Sequence, residues 1–477
     1  MRFNFAVFIL FIGMTVRPYA YADDAEAFIE SLKDHYKHTM SINAFSLTHS
    51  YLGRSEPFQS WDFEAPTRYK AFKITDIDME KQHYYQNVVH HYTGGLYFDE
   101  VHYQNDSESL RYERNGISLG KSAINQSLNS FNRYKNLTLM NLDFFAVRPL
   151  LKETDVAKNI DFKHDQASNS VTLVHRPSEQ QTIEYVFANS PLRLTSVNNL
   201  SRKRIFLYDD YRTSNGYYFA HSLVKHYNGE TIPSFITRIE KFEPIEKIEP
   251  SKLKLPSDFY RAKQYKAQPL SVSEIHENLF LITDNSTLSN MLFKVQGNSI
   301  TVFGAPRSSE VSNRVIDTIQ RQFPNKGIDS IFISHPYSDH ISGILPFVER
   351  GVTILADAYT IKAMNAYPRF SDLIDKFKFR TLANKQIEDG VCFYVLESTR
   401  SKRQSFAYFA EAGIVFETDF LEVAMDNTVA KLLPSYSKQF IEFLKREKLK
   451  VNRIVGFHRN HNISPQIMDE AYNANTM

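Results

Sequence analysis

The 477-residue chain carries 56 Lys and Arg against 54 Asp and Glu, a formal charge of +2, so it shows neither the basic surplus that nucleic acid calls for nor an acidic tail. Its aromatic content is uneven, 27 Tyr and 37 Phe beside a single Trp, which suits half-buried antiparallel sheet. The one cysteine, Cys392, excludes an internal disulfide and a thiolate metal site, so any metal must be held by His, Asp or Glu.

At the N-terminus, Arg2 precedes an apolar run from Phe3 to about Val16, followed by Ala20-Tyr21-Ala22 and Asp23-Asp24. This reads as a secretory signal over residues 1–22. The run is shorter than the roughly 18–20 residues that span a bilayer. A retained anchor is the alternative, kept open by Arg17 and Pro18. The mature chain is expected to be periplasmic or secreted, with no transmembrane segment. Residues 24–38 fit an amphipathic helix through Phe28, Ile29, Leu32 and Tyr36.

Strands are expected over 84–89, 96–103 and 110–112, bounded by Gly94-Gly95, Asn105-Asp106 and Asn115-Gly116. A helical interlude is expected over 122–152. Further strands over 171–174, 182–187, 192–197, 203–211, 217–227 and 235–242 read as an antiparallel meander, curved and packed on a helix. In architecture alone this half resembles the half-barrel domains of periplasmic lipoprotein carriers. Its concave aromatic sheet is expected to hold an apolar ligand or to meet a partner. His83, His90, His91 and His102 fall on these strands, but alternation sends His90 and His91 to opposite faces, so no metal site is expected there. The Pro-rich, charge-alternating stretch that follows reads as a linker. The resulting plan is a signal over 1–22, a β-rich domain over 23–242, a linker over 243–270 and a third part over 271–477.

In that third part strands alternate with helices. Strands are expected over 279–282, 291–295, 299–303, 328–333 and 353–356. Helices are expected over 309–323, with Val311, Val315, Ile316 and Ile319 on one face, and over 341–349 and 359–364. Such alternation implies an α/β layer structure.

The stretch Ser334-His335-Pro336-Tyr337-Ser338-Asp339-His340-Ile341-Ser342-Gly343 sits between a strand and a helix. Three side chains suited to zinc, iron or manganese lie close together on one loop, where a strand end can aim them at a single point. A lone histidine would more often cap or pack; three candidate ligands together weaken that alternative.

On these residues the chain, over about 275–463, resembles the metallo-β-lactamase superfamily, whose signature is His-x-His-x-Asp-His after Ser or Thr. Ser334, His335, Asp339, His340 and Gly343 match it, and Tyr337 stands where the family has its second His. Asn290 falls in what looks like the opening hairpin, Phe303-Gly304-Ala305-Pro306 replaces the frequent Asp-Thr-Gly, and Gly351-Val352-Thr353-Ile354 resembles the following strand. The resemblance implies an αββα sandwich behind the β-rich, half-barrel-like domain, an α+β and α/β chain as a whole. It also implies Asp419 as the bridging carboxylate after 412–418 and His458 as the last ligand, with His461 as fallback. The family's remaining His has no counterpart; Arg400 is the nearest match by spacing.

Carried over residue by residue, one metal position keeps Asp339, His340, Asp419 and His458, and the other keeps His335 alone. The expectation is one divalent ion, zinc before iron or manganese, in a metal-dependent hydrolase. Asp339, His335 and Tyr337 are the expected catalytic side chains. Arg400, beside Lys402 and Arg403, is expected to be a solvated loop charge, and Tyr337 either a donor to substrate or a packed aromatic. The alternative is a non-catalytic ligand- or partner-binding protein on a decayed hydrolase fold.

Overall fold

The computed structural model describes residues 20–262 and 270–476. The apolar run expected as a signal, 3–16, lies outside them. Among the described residues no helix is long and apolar enough to cross a membrane. The chain forms two compact units that interleave in sequence: the chain up to Ile42 with Leu137–Ser234, and Asn43–Asn136 with Phe235 onward.

The first unit is a meander of Ile160–Asp165, Ser170–Ser178, Gln181–Asn189, Leu192–Asn199, Arg204–Ser214 and Tyr217–Tyr227, each strand antiparallel to the next. Alternation buries Val171, Leu173, Tyr185, Phe187 and Leu194. The helix Ala20–Met40 buries Ile29, Leu32 and Tyr36, and Phe28 meets the rings of Phe162 and Phe187 at 6.0 and 5.6 Å. This aromatic sheet face is therefore covered by the chain's own helix, where an apolar ligand had been expected.

In the second unit neighbouring strands, largely antiparallel, run in the order Tyr260–Arg261, Ser122–Asn125, Ser109–Glu113, Tyr97–Gln104, His83–His91, Arg68–Asp78, Ala44–Arg54, Phe235–Pro244. One row across these strands reads Thr75, Gln86, His102, Arg111, all but the arginine buried, a polar row on a face that also carries buried Ala71, Ile77, Tyr84 and Val88. The opposite face carries Val101, Tyr103, Leu110 and Tyr112 and is covered by Leu253, Leu255 and Phe259. Those residues come from the stretch read as a linker, which is packed here because its apolar side chains find this face.

The remainder of this unit is layered. A seven-stranded sheet is ordered Ser271–His276, Leu279–Asp284, Ser289–Gln296, Ser299–Phe303, Gly327–Phe332, Thr353–Ala356, Lys378–Thr381. A five-stranded sheet is ordered Gln386–Glu388, Val391–Leu396, Gln404–Phe409, Ile414–Glu417, Arg453–Gly456. Phe303 and Phe332 of the first meet Phe393 of the second, at 6.3 and 5.1 Å between rings. Gln404–Phe409 shows how alternation builds the layers. Ala407 and Phe409 join the core between the sheets, whereas Phe406 and Tyr408 turn outward to Phe440 and Phe443 of the helix Ser435–Arg446. The helix Ser309–Gln322 buries Val311, Val315, Ile316 and Ile319 against the core that the first sheet shares. Each buried Phe stabilises this arrangement by about 1.5–3 kcal/mol.

Candidate metal centre

The parallel strands of the two sheets end on one edge of the sandwich. His335 lies just beyond Gly327–Phe332, Asp339 and His340 lie in the short helix Ser338–Ile341, Asp419 just beyond Ile414–Glu417, and His458 just beyond Arg453–Gly456. The last two strands pair in parallel, Glu417 opposite Gly456, so Asp419 and His458 leave them side by side. The Ser405 amide donates to the Ser334 carbonyl at 2.8 Å and ties the edges of the two sheets together.

Local chemistry holds each loop. Asn290 donates to the carbonyls of Gly456 and Arg459 at 2.9 and 3.0 Å, and its own amide donates to Phe457 at 2.7 Å, which fixes the path through His458. Buried Glu417 accepts from the amides of Phe420 and Leu421 at 2.7 and 3.3 Å, and burial pushes its carboxyl up to about 8. Within that turn Asp419 adopts the left-handed region, φ 61°, a conformation aspartate tolerates better than most residues.

The five predicted ligands come together. His458 Nε2 lies 3.3 Å from His340 Nε2, 3.5 Å from Asp339 Oδ2 and 3.1 Å from Asp419 Oδ1. His340 Nε2 is 3.4 Å from Asp419 Oδ1 and 3.8 Å from Asp339 Oδ2, and His335 Nε2 is 3.6 Å from Asp419 Oδ2. Two overlapping donor triads result, His335–His340–Asp419 and Asp339–His340–His458. The fallback His461 is not among them; its ring contacts Arg453 at 3.1 Å.

Charge in the cluster is mutually tuned. Burial, reinforced by His340, lowers the His335 imidazole to about 4. Burial would also lower His458, but its bonds to Asp339 and Asp419 raise it to about 9. Against burial, the neighbouring His340 and His458 hold both carboxyls well below the usual range.

These side chains fit a cation. Donors about 2.0–2.2 Å from a tetrahedral zinc stand roughly 3.3–3.6 Å from one another, and the separations here run from 3.1 to 3.8 Å. His335 Nε2 and Asp419 Oδ1 are buried without an aligned hydrogen-bond partner, an expensive condition unless something else meets them. His335 Nδ1 lies 3.0 and 3.2 Å from the hydroxyls of Ser334 and Thr418, which can accept its proton and leave Nε2 with a free lone pair.

Two expectations need correcting. The Arg400 side chain is only 12% exposed and its guanidinium pairs with Asp419 Oδ2 at 3.2 Å, so it is not a solvated loop charge. It lies over the Tyr337 ring, 4.9 Å from the centroid, and the desolvation of a guanidinium is offset by that ring and that carboxylate. Tyr337 is buried and its hydroxyl donates to the Arg400 carbonyl at 2.7 Å, so its proton is engaged by the loop and not offered to a substrate.

Sequence reasoning missed three neighbours. Gln59 donates to Asp339 Oδ1 at 3.0 Å and to Ser338 at 2.7 Å, from a part of the chain with no motif to announce it. Arg307 Nη2 lies 2.8 Å from His458 Nδ1. Arg459 lines the same cleft, and its place beside His458 was the one signal available.

No family model and no curated protein matches the chain. Solved structures that it resembles include a metallo-β-lactamase from Erythrobacter litoralis, at 13% identity over 44% of this chain and 97% of that one, TM-score 0.35. One from Hirschia baltica has 14% identity over 44% and 99%, TM-score 0.35, and FIM-1 from Pseudomonas aeruginosa has 13% over 44% and 95%, TM-score 0.33. At such identities and TM-scores the likeness says nothing of this chain's activity.

Proposed function

We propose that the chain is a metal-dependent hydrolase with a single divalent ion, zinc before iron or manganese, held by Asp339, His340, Asp419 and His458. The observation that carries this reading is that His340 Nε2 and His458 Nε2 lie 3.3 Å apart and each stands 3.1–3.8 Å from a carboxylate oxygen of Asp339 and of Asp419. Arg400 supports one ion over two. Its fixed charge sits against Asp419 Oδ2, on the side where the resemblance would put a second cation, and like charges repel there. When bound, the ion supplies Lewis-acid activation of water and of the scissile group at neutral pH.

The protein's own groups have separable roles. Asp419 divides its carboxylate, Oδ1 toward His340 and His458 and Oδ2 toward Arg400. Gln59 orients Asp339, the more exposed of the two carboxylates. His335 Nε2, buried without an aligned hydrogen-bond partner, is placed to accept a hydrogen bond at the centre. Elemental analysis of pure protein checks the stoichiometry: one ion per chain is expected, and two contradict it. His340→Ala removes the imidazole common to both donor triads and should abolish tight binding and hydrolysis together. Should chelation alter neither the melting temperature nor any ester or lactam hydrolysis, the non-catalytic binder becomes the better account.

A further inference from the structure

A cleft of about 620 Å³ joins the candidate centre to one face of the antiparallel sheet within the same unit, with Asp339, Asp419 and His458 among its lining. The sheet side is aromatic where the cleft opens onto it. Tyr69 and Tyr92 stack at 5.1 Å, and His90 and Phe98 each lie 6.0 Å from Tyr92, all four lining the cleft and half-buried. The wall is held firmly in place. Leu96 is buried with Ile117, Ala430 and Tyr436, and Ser435 donates to the Gly94 carbonyl at 3.2 Å. Gly94 has φ 84°, and a Cβ there would stand 2.8 Å from the Thr399 carbonyl oxygen, so the turn that carries Tyr92 abuts the loop that carries Arg400.

Arg459, the residue after His458, lines the same cleft. Other arginines of the cleft are engaged, Arg111 with Glu100 at 2.7 Å and Arg400 with Asp419 at 3.2 Å. Arg459 forms only a long ion pair with Glu422, 3.9 Å, beyond hydrogen-bond length. Its amide donates to Leu288 at 2.7 Å, which fixes where the side chain leaves the chain. A partly enclosed fork of N–H donors in the same cleft as a stack of rings is suited to a planar group bearing an anion.

We propose that this sheet is the substrate-recognition wall of the cleft, and that the substrate carries an aromatic or similarly planar ring, stacked on Tyr92, with an anionic substituent held by Arg459. The proposal takes its reaction from the hydrolase reading but not its binding, so the two can fail separately. Calorimetric titration of the full chain, chelator-treated and zinc-loaded, with 1-naphthalenesulfonate, methanesulfonate and 2-naphthalenemethanol tests it. The naphthalenesulfonate should bind at least about tenfold more tightly than either half-probe, since stacking and a charged hydrogen bond each contribute about that much. Tyr92→Ala and Arg459→Gln should each weaken it about tenfold at unchanged melting temperature. Phe98→Ala serves should Tyr92→Ala fail to fold, and Arg459→Lys should recover part of the preference for anions. Equal binding of the three probes, or indifference to both wall variants, overturns the proposal. Binding that persists in a protein without hydrolytic activity supports the wall and removes the hydrolase reading alone.

Discussion

Arg307 sets a proton problem at His458. The neutral imidazole that would ligate a metal carries one ring proton, and a guanidinium only donates, so in that form a contact of 2.8 Å to Nδ1 makes that nitrogen the acceptor and puts the proton on Nε2, the atom that faces His340 and the carboxylates. A metal-bound imidazole ordinarily donates its other N–H to an acceptor. Ligation through Nε2 thus competes with Arg307. At His335 the two hydroxyls around Nδ1 impose no such conflict. Arg307→Gln would offer His458 an amide oxygen, and zinc affinity should rise about tenfold. Competition with a fluorescent chelator reads this out, and an unchanged or weaker affinity would show that Arg307 does not oppose binding.

Two features of the elements aim the ligands. One is the packing of the motif's turn. A Cβ on Gly343 would stand 2.0 Å from the Pro306 carbonyl oxygen and 2.8 Å from Ser312 Oγ, and Ser312 itself donates to the Gly343 carbonyl at 2.6 Å. The helix Ser309–Gln322 and the loop before it therefore press against the turn that follows His340. The obstacle is backbone and cannot rotate away, so Gly343→Ala should cost about 3 kcal/mol in denaturant unfolding. A loss below about 1 kcal/mol would mean that the turn moves freely. The other feature is the end-to-end alignment of parallel strands, which delivers Asp419 and His458 to one edge although the sequence separates them widely.

For the whole molecule, a formal charge of +2 leaves little self-repulsion, so pH sensitivity must come from individual buried groups. Outside the candidate centre, buried Asp143 is the clearest. Burial raises its carboxyl from 3.8 to about 6, while Tyr36 and the Ala220 amide donate to it at 3.3 and 3.1 Å. Between pH 4 and 6 the native form holds a proton that the unfolded chain has released, so stability from this group is present at the acid end and lost as pH rises. The gap amounts to about 3 kcal/mol, and Asp143→Asn should flatten that part of the stability profile; identical profiles for the two proteins would remove Asp143 as its source. Strands such as Ser299–Phe303, Thr353–Ala356 and Tyr217–Tyr227 were legible because local patterning and bounding turns mark them. Ala44–Arg54 and Arg68–Asp78 were not, because buried His49, Thr75 and Asp76 break the apolar alternation that announces a strand. By itself the sequence determined the layered texture after residue 271 and the His-Pro-Tyr-Ser-Asp-His loop, since periodicity and ligand spacing are properties of neighbouring residues. Tertiary structure alone decided that Arg400 is buried against Asp419, that Gln59 reaches Asp339, and that Tyr69, His90, Tyr92 and Phe98 line the same cleft, because burial and electrostatic pairing depend on which distant segments meet.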